Sequence, residues 1–407
     1  MNFIDFQKRI IVSVRRSPDP WIVGLAAFFG FFIKLLLDLT TFGTNDVTYW
    51  WTFSNYIATH DSFSIYRDIR YYNHPPLISY WLWVMELING HNKTQFAHLL
   101  RLPAILADIG STVIIWRLVK SYFTPRKSLV VTCIFALSPV SIMVSGFHGN
   151  TDPVFMFLIL LSSYLLINRR SWLPSALILG AAMNVKLVPI IMLPAMCFWL
   201  QTWTQRFSYG LVALLLVGVG CGYHFYVMTD DMLRNVFLYG GLKNIWGIGR
   251  FYRDYPDIGK LIVFVTITAM SFLISQKSLI LDNQRKERSY YLLRSFSWTF
   301  LLFLLLTPGF GVQYLSWLVA PVTFLGVPVA LVYNLLAGLF LFRVYTFWSG
   351  GFPWYYANSN VMGQWVGFDR ELDLLLWCLL AIVLIVFGLK NILELLNKWK
   401  QKVKKYQ

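Results

Sequence analysis

Apolar runs of about 17 to 22 residues recur along the whole chain, the length an α-helix needs to cross roughly 30 Å of hydrocarbon. They predict spans over 21–39, 101–119, 128–146, 153–168, 172–184, 187–201, 208–228, 259–275, 291–306, 314–330, 331–347 and 372–390. The alternating ten-residue strands of a membrane barrel are absent. The fold class expected is therefore all-α, a polytopic transmembrane helical bundle of about twelve spans. The fifth and sixth spans are short, and "AMNVKLVP" between them reads as a break in one kinked unit or as a turn between two. The turn near Pro328 carries no charge.

The connections are unequal. The longest runs from Thr40 to about Leu100 and contains "PPLISYWLWVMELI", too short and too polar to span, so it should hold interfacial helices. Two further outer segments, Thr229 to Lys260 and Trp348 to Arg370, are rich in Trp and Tyr, which suit the headgroup zone. With no repeat of 20 to 50 residues and no low-complexity linker, one domain over 1–407 is expected. Its parts are a first extracytoplasmic loop at 40–100, an outer substrate-side loop at 229–260 and a basic cytoplasmic tail at 391–407.

Composition agrees: 57% of residues are hydrophobic, 18% aromatic and 13% charged, and the mean hydropathy is +0.57. The net charge of +16 would suggest nucleic acid in a soluble protein. Here the basic residues cluster before the first span and in "KNILELLNKWKQKVKKYQ", so they place both termini in the cytoplasm. Attraction to anionic membrane lipids follows as a by-product, and no nucleic-acid partner is expected. The four cysteines lie in apolar segments without metal-ligand spacing and read as core thiols. The first apolar run is long and lacks a cleavage site, so it is expected to remain as an anchor.

An ionisable group at membrane depth is costly unless it is paired, hydrated or functional. In "TTFGTNDVTYWW", Asp46 stands where the first span ends, either as a solvated helix end or as a site residue. In "SGFHGNTDPVF", His148, Asn150 and Asp152 crowd another outer turn, where Asp152 could instead cap the next span. Two carboxylates on one side could activate a hydroxyl or hold a divalent cation between them, leaving the metal open. Lys186, Arg250, Arg253 and His74, with Arg67 and Arg70, supply cations on the same side, suited to a phosphate. Lys186 interrupts an apolar stretch and could also snorkel outward without a ligand. Pro308, Gly309 and Gly311 break a helix before Gln313 and Tyr314, which either satisfy freed backbone or line a polar pocket. No Walker loop, dinucleotide fingerprint or HExxH motif is present.

At these residues the chain resembles the GT-C superfamily of multispanning glycosyltransferases. "GTNDVTYWW" is similar to the first-loop aspartate motif, and "YNHPPLISYWLW" to the proline-containing segment after it. "HGNTDPVFMFLILLSSYLL", "MNVKLVPIIMLP" and "VQYLSWLVAP" resemble, in order, segments of dolichyl-phosphate-mannose-dependent and related polyprenyl-phosphate-sugar enzymes. The resemblance implies a polyprenyl-phosphate-linked sugar donor and a lipid-linked glycan or other extracytoplasmic acceptor. It further implies inversion, with Asp46 as catalytic base and Asp152 beside it, on the outer or lumenal face of a bacterial plasma membrane or the endoplasmic reticulum. Lys186, Arg250, Arg253 and His74 would bind the donor phosphate, with His148, Asn150, Gln313 and Tyr314 in the pocket. Asn73 and His74 depart from the usual residues before the prolines, which leaves the sugar open. The rival reading is a transporter or flippase of a lipid-linked sugar, expected to carry charges near mid-membrane; the gathering of acids at one end favours the enzyme.

Overall fold

The protein is described by a computed structural model covering residues 20–239, 241–243, 245–247, 256–280, 285–307, 309–363 and 370–406. Proline occupies the first turn of the helices Pro76–Asn89, Pro125–Ala136, Pro139–Met143, Asp152–Tyr164 and Val327–Trp348. Its missing N–H and fixed φ cost nothing there. Thr44, Asn92, Thr124, Ser138 and Thr202 cap helices by accepting a backbone N–H through the side chain.

The described residues contain 8 helices long and apolar enough to cross a membrane. Four shorter apolar helices, Trp172–Val185, Val188–Trp199, Gly259–Ser275 and Val312–Leu325, fall on the remaining expected spans. The architecture is the all-α polytopic bundle the pattern predicts. The break at "AMNVKLVP" is real: Trp172–Val185 ends at Lys186, whose backbone is extended, and a short 3-10 turn, Val188–Met192, leads on. The boundary between the next-to-last pair of spans lies earlier than expected. It falls at Gly326, with φ +117°, between Ser316–Leu325 and Val327–Trp348. That backbone region favours glycine, and Pro328 starts the following helix instead of ending the preceding one.

The long first connection holds Asn45–Thr59, Ser64–Asp68 and Pro76–Asn89. The last of these buries Ile78, Leu82 and Met85 while exposing Leu77, Trp83, Leu87 and Ile88, an amphipathic helix lying over the bundle. Two short backbone ladders tie connecting segments together. Gly43–Thr44 pairs in parallel with Tyr356–Ala357, and Leu242–Lys243 pairs antiparallel with Gly309–Phe310. The helix Arg370–Tyr406 runs without interruption from the last span into the basic tail.

The expectation that acids gather at one end needs correction. Lys34 Nζ lies 2.7 Å from Asp108 Oδ2 inside the spans, and both groups are nearly dry. Ser141 and Ser145 also donate to that carboxylate oxygen. One level higher, Arg101 Nε lies 2.7 Å from Asp38 Oδ1. The Arg101 guanidinium also donates to the carbonyls of Asp38, Thr41 and Gly146. Lys34 and Asp38, one turn apart, thus meet Asp108 and Arg101, two turns apart, and lock the first span to Lys93–Val119. Intramembrane charge therefore does not discriminate against a transporter. The four cysteines are unpaired.

Candidate active site

Asp46 enters the site through local capping. Thr44 is the N-cap of Asn45–Thr59, and its Oγ1 accepts from the Asp46 amide while donating to the His148 carbonyl at 2.8 Å. That one hydroxyl joins the first-loop helix to the turn after Pro139–Met143. Residues Val144–His148 form a π-helical turn that ends at Gly149 with φ +80°. A Cβ at Gly149 would lie 2.5 Å from Val47 Cγ2, so glycine permits both the backbone reversal and the close approach to the Asp46 helix. The widened turn swings His148 toward Asp46, as such insertions often do at functional sites.

His148 Nε2 lies 3.0 Å from Asp46 Oδ2, and the Asn150 side-chain amide reaches the same oxygen at 3.5 Å. Asp46 Oδ1 accepts no hydrogen bond among the described residues, and 29% of the side-chain surface stays open. Burial pushes the Asp46 carboxyl up, but the combined pull of His148, Lys186 and Asn150 prevails and holds it below the usual carboxylate value. Asp152 behaves differently. It is fully buried, with Lys186 Nζ 2.6 Å from Oδ1 and Trp317 Nε1 2.8 Å from Oδ2. Each oxygen thus already has a partner, and the side chain has no exposed surface. Lys186 Nζ in turn sits over the rings of Trp317 and Tyr314, at 5.2 Å and 5.3 Å, and those rings stack 3.9 Å apart.

Lys186 also faces a cavity of about 690 Å³. Asn73, Tyr239, Tyr314 and Lys260 line it together with Leu214, Val217, Cys221, Phe225 and other apolar side chains. Gly218 and Gly222 open its wall, and a Cβ at either would meet nothing within 4 Å. The volume and the mostly apolar lining with a few polar groups are those of a small-ligand site that favours an apolar occupant.

The remaining expected site residues divide. Tyr314 lines the cavity, whereas Gln313 is absent from its lining and folds back toward Gly311. His74 is buried with its ring 4.3 Å from that of Trp50. Burial and the Lys186 charge push its pKa well below the usual value. His74 is absent from the cavity lining, and positive charge on it is disfavoured. Arg250 and Arg253 lie outside the described residues. Arg67 is exposed and pairs with Asp68. Among the described residues no group of three or more His, Cys, Asp or Glu side chains is arranged to hold a metal ion. Nothing in the sequence marks Tyr345 and Trp317, which bond to His148 and Asp152. An aromatic residue in a span gives no pattern that marks it as a polar partner.

The family model described as "Dolichyl-phosphate-mannose-protein mannosyltransferase" matches residues 73–220. The matched stretch holds His74, His148, Asn150, Asp152 and Lys186 but not Asp46. "GPI mannosyltransferase 1" of Debaryomyces hansenii is 24% identical over 210 residues, covering 45% of this chain and 49% of that protein. "GPI mannosyltransferase 1" of Candida albicans is 27% identical over 148 residues, 36% of each chain. "Putative mannosyltransferase YycA" of Bacillus subtilis is 29% identical over 128 residues, covering 30% of this chain and 18% of that one. The chain thus spans about half or less of the length of these relatives. No solved structure gives a significant match. The resemblance to GT-C glycosyltransferases stands on these matches and on the helical fold, and the chain is an integral membrane protein in its architecture.

Proposed function

We propose that the chain is a membrane glycosyltransferase that moves a hexose, mannose or glucose, from a polyprenyl-phosphate carrier to an extracytoplasmic acceptor with inversion. The observation that carries this reading is Lys186. It lines the apolar cavity and is near enough to Asp46 to lower its proton affinity. One cation thereby joins an apolar cavity to a half-open carboxylate.

In the proposed reaction the acceptor hydroxyl attacks the anomeric carbon from the face opposite the phosphate. Its proton passes to Asp46 Oδ1, the oxygen left without a hydrogen bond, while His148 and Asn150 hold Oδ2. The new C–O bond forms as the bond between the anomeric carbon and the phosphate oxygen breaks, and the carrier leaves as a phosphate monoester. Its negative charge grows during bond breaking, so a fixed cation at Lys186 stabilises the transition state more than the ground state. Asp152 and Trp317 hold that cation in place. Asp152 is thus assigned to positioning Lys186.

The test is transfer from radiolabelled mannosyl- and glucosyl-polyprenyl phosphates to a membrane-lipid acceptor extract by the purified full chain. Asp46→Asn keeps an oxygen for His148 but loses the base, and turnover should fall by about 10²- to 10⁴-fold. Undiminished transfer by that variant removes Asp46 from its role. Movement of the intact donor across vesicle bilayers without transfer would establish the transporter reading instead.

A further inference from the structure

Tyr345 lies near the end of Val327–Trp348 and is fully buried. Its ring packs between Phe147 and Trp354, at 5.3 Å and 5.6 Å, and its hydroxyl lies 3.0 Å from His148 Nδ1. Among the described residues His148 is the hydroxyl's partner. A buried hydroxyl proton left without an acceptor is destabilising. The proton therefore belongs on the Tyr345 oxygen and points at Nδ1, which must then be the unprotonated ring nitrogen. That assigns the hydrogen to Nε2, which faces Asp46 Oδ2 at 3.0 Å. The alternatives put hydrogen on Nδ1: the other neutral tautomer would strand the Tyr345 proton and set the bare Nε2 lone pair against a carboxylate, and the imidazolium would keep Nε2–H but still strand the Tyr345 proton.

We propose that Tyr345 is a positioning residue for the reaction, acting through His148 to fix the Nε2–H tautomer. The inference rests on the transferase reading and sharpens it. A histidine beside a carboxylate could itself take the acceptor's proton, or could orient the carboxylate that does. With Nδ1 occupied by the tyrosine, His148 has no vacant lone pair toward the substrate. Its single N–H is spent on Oδ2, and Asp46 Oδ1 alone is left to receive a proton. The backbone supports the same geometry, since Thr44 Oγ1 holds the His148 carbonyl and is itself the cap of the Asp46 helix. Three segments far apart in sequence thus converge on the orientation of one carboxyl plane.

The experiment uses the purified full chain labelled with ¹⁵N-histidine, read by the ring-nitrogen resonances, with His148→Gln identifying the signal of residue 148. The expected result is an unprotonated Nδ1 and a protonated Nε2 in the wild type, lost to a mixture of tautomers in Tyr345→Phe. In transfer assays Tyr345→Phe should lower kcat about 10- to 100-fold with donor KM changed less than about twofold. In His148→Gln the amide nitrogen donates to Asp46 without help, so adding Tyr345→Phe should cost less than about twofold further. A protonated Nδ1 in the wild type overturns the proposal. So does an equal loss from Tyr345→Phe in the wild-type and His148→Gln backgrounds, which would mark the tyrosine as packing alone. The expected resonances together with no transfer from either donor would uphold the Tyr345–His148 geometry and overturn the transferase reading.

Discussion

Replacing Lys186 by methionine removes the ammonium and keeps most of the side-chain volume, and two effects must be separated. The first is structural. Asp152 is fully buried and would keep only Trp317 as a partner. Breaking a buried pair by removing one member costs about 3–5 kcal/mol. The second is functional: hydrogen bonds to a charged group are worth about 1.5–3 kcal/mol, so loss of the phosphate contact should weaken donor binding roughly 10- to 150-fold. The double variant Lys186→Met/Asp152→Asn removes both charges, and an asparagine there still offers Trp317 an oxygen. Thermal melting in detergent should therefore fall sharply for Lys186→Met and return to within about 1 kcal/mol of wild type in the double variant. Equilibrium binding of a polyprenyl phosphate should stay weak in both. Recovery of donor affinity together with stability in the double variant would refute the reasoning, because Lys186 would then be only a counter-ion for Asp152.

Gly222→Leu places a side chain where a Cβ has open space, in the cavity wall. Displacing about two methylenes of bound lipid, at about 0.8 kcal/mol each, should raise the donor KM roughly tenfold without lowering the melting temperature. Arg101→Met leaves Asp38 and three backbone carbonyls facing a void where the guanidinium donates; a loss of about 3–5 kcal/mol in thermal denaturation is expected. Because Asp46 is held below the usual carboxylate value, its contribution to stability is present above about pH 3.9, its unperturbed value, and is lost only as pH falls through its own lower value. Donor phosphate bound at Lys186 cancels part of the pull that lowers Asp46. The acid limb of kcat should therefore lie at higher pH than that of kcat/KM, and the reverse order in a pH–rate profile would contradict the contact.

Hydrophobic run length located the apolar helices, eight of them long enough among the described residues to cross a membrane, because the constraint is local: each helix must satisfy its own backbone in lipid whatever surrounds it. The same reasoning placed Asp46, His148, Asn150 and Lys186 on one side, and they meet there. What it could not supply was pairing across distance. Nothing in "NTDPVF" or "MNVKLVP" signals a shared ion pair, yet Asp152 and Lys186 each account for the other. Nothing local to His74 in the sequence shows its burial, because Trp50, whose ring packs on it, comes from a separate helix of the first loop. The deeper ion pairs do carry a sequence signal: Lys34 and Asp38 interrupt the first span, and Arg101 and Asp108 share a face of the second. Ionisable groups at such depth require partners.

Those deeper pairs bear on how the upper site keeps its shape. Asp108 takes hydrogen bonds from Ser141 and Ser145, at the base of the π-helical turn, while Arg101 binds the carbonyl of Gly146 in that turn. His148 is thus carried on a segment fixed from below by two charged side chains and from the side by Thr44 and Tyr345. A π-helical turn left alone would relax toward ordinary α-helix, which would rotate His148 away from Asp46. The energy that keeps the turn wide comes from charges that must be paired in any case, and a small error in the Asp46 carboxyl plane is costly to a proton transfer. Orientation of the Asp46 carboxyl is in this way secured by electrostatics buried between the first two spans.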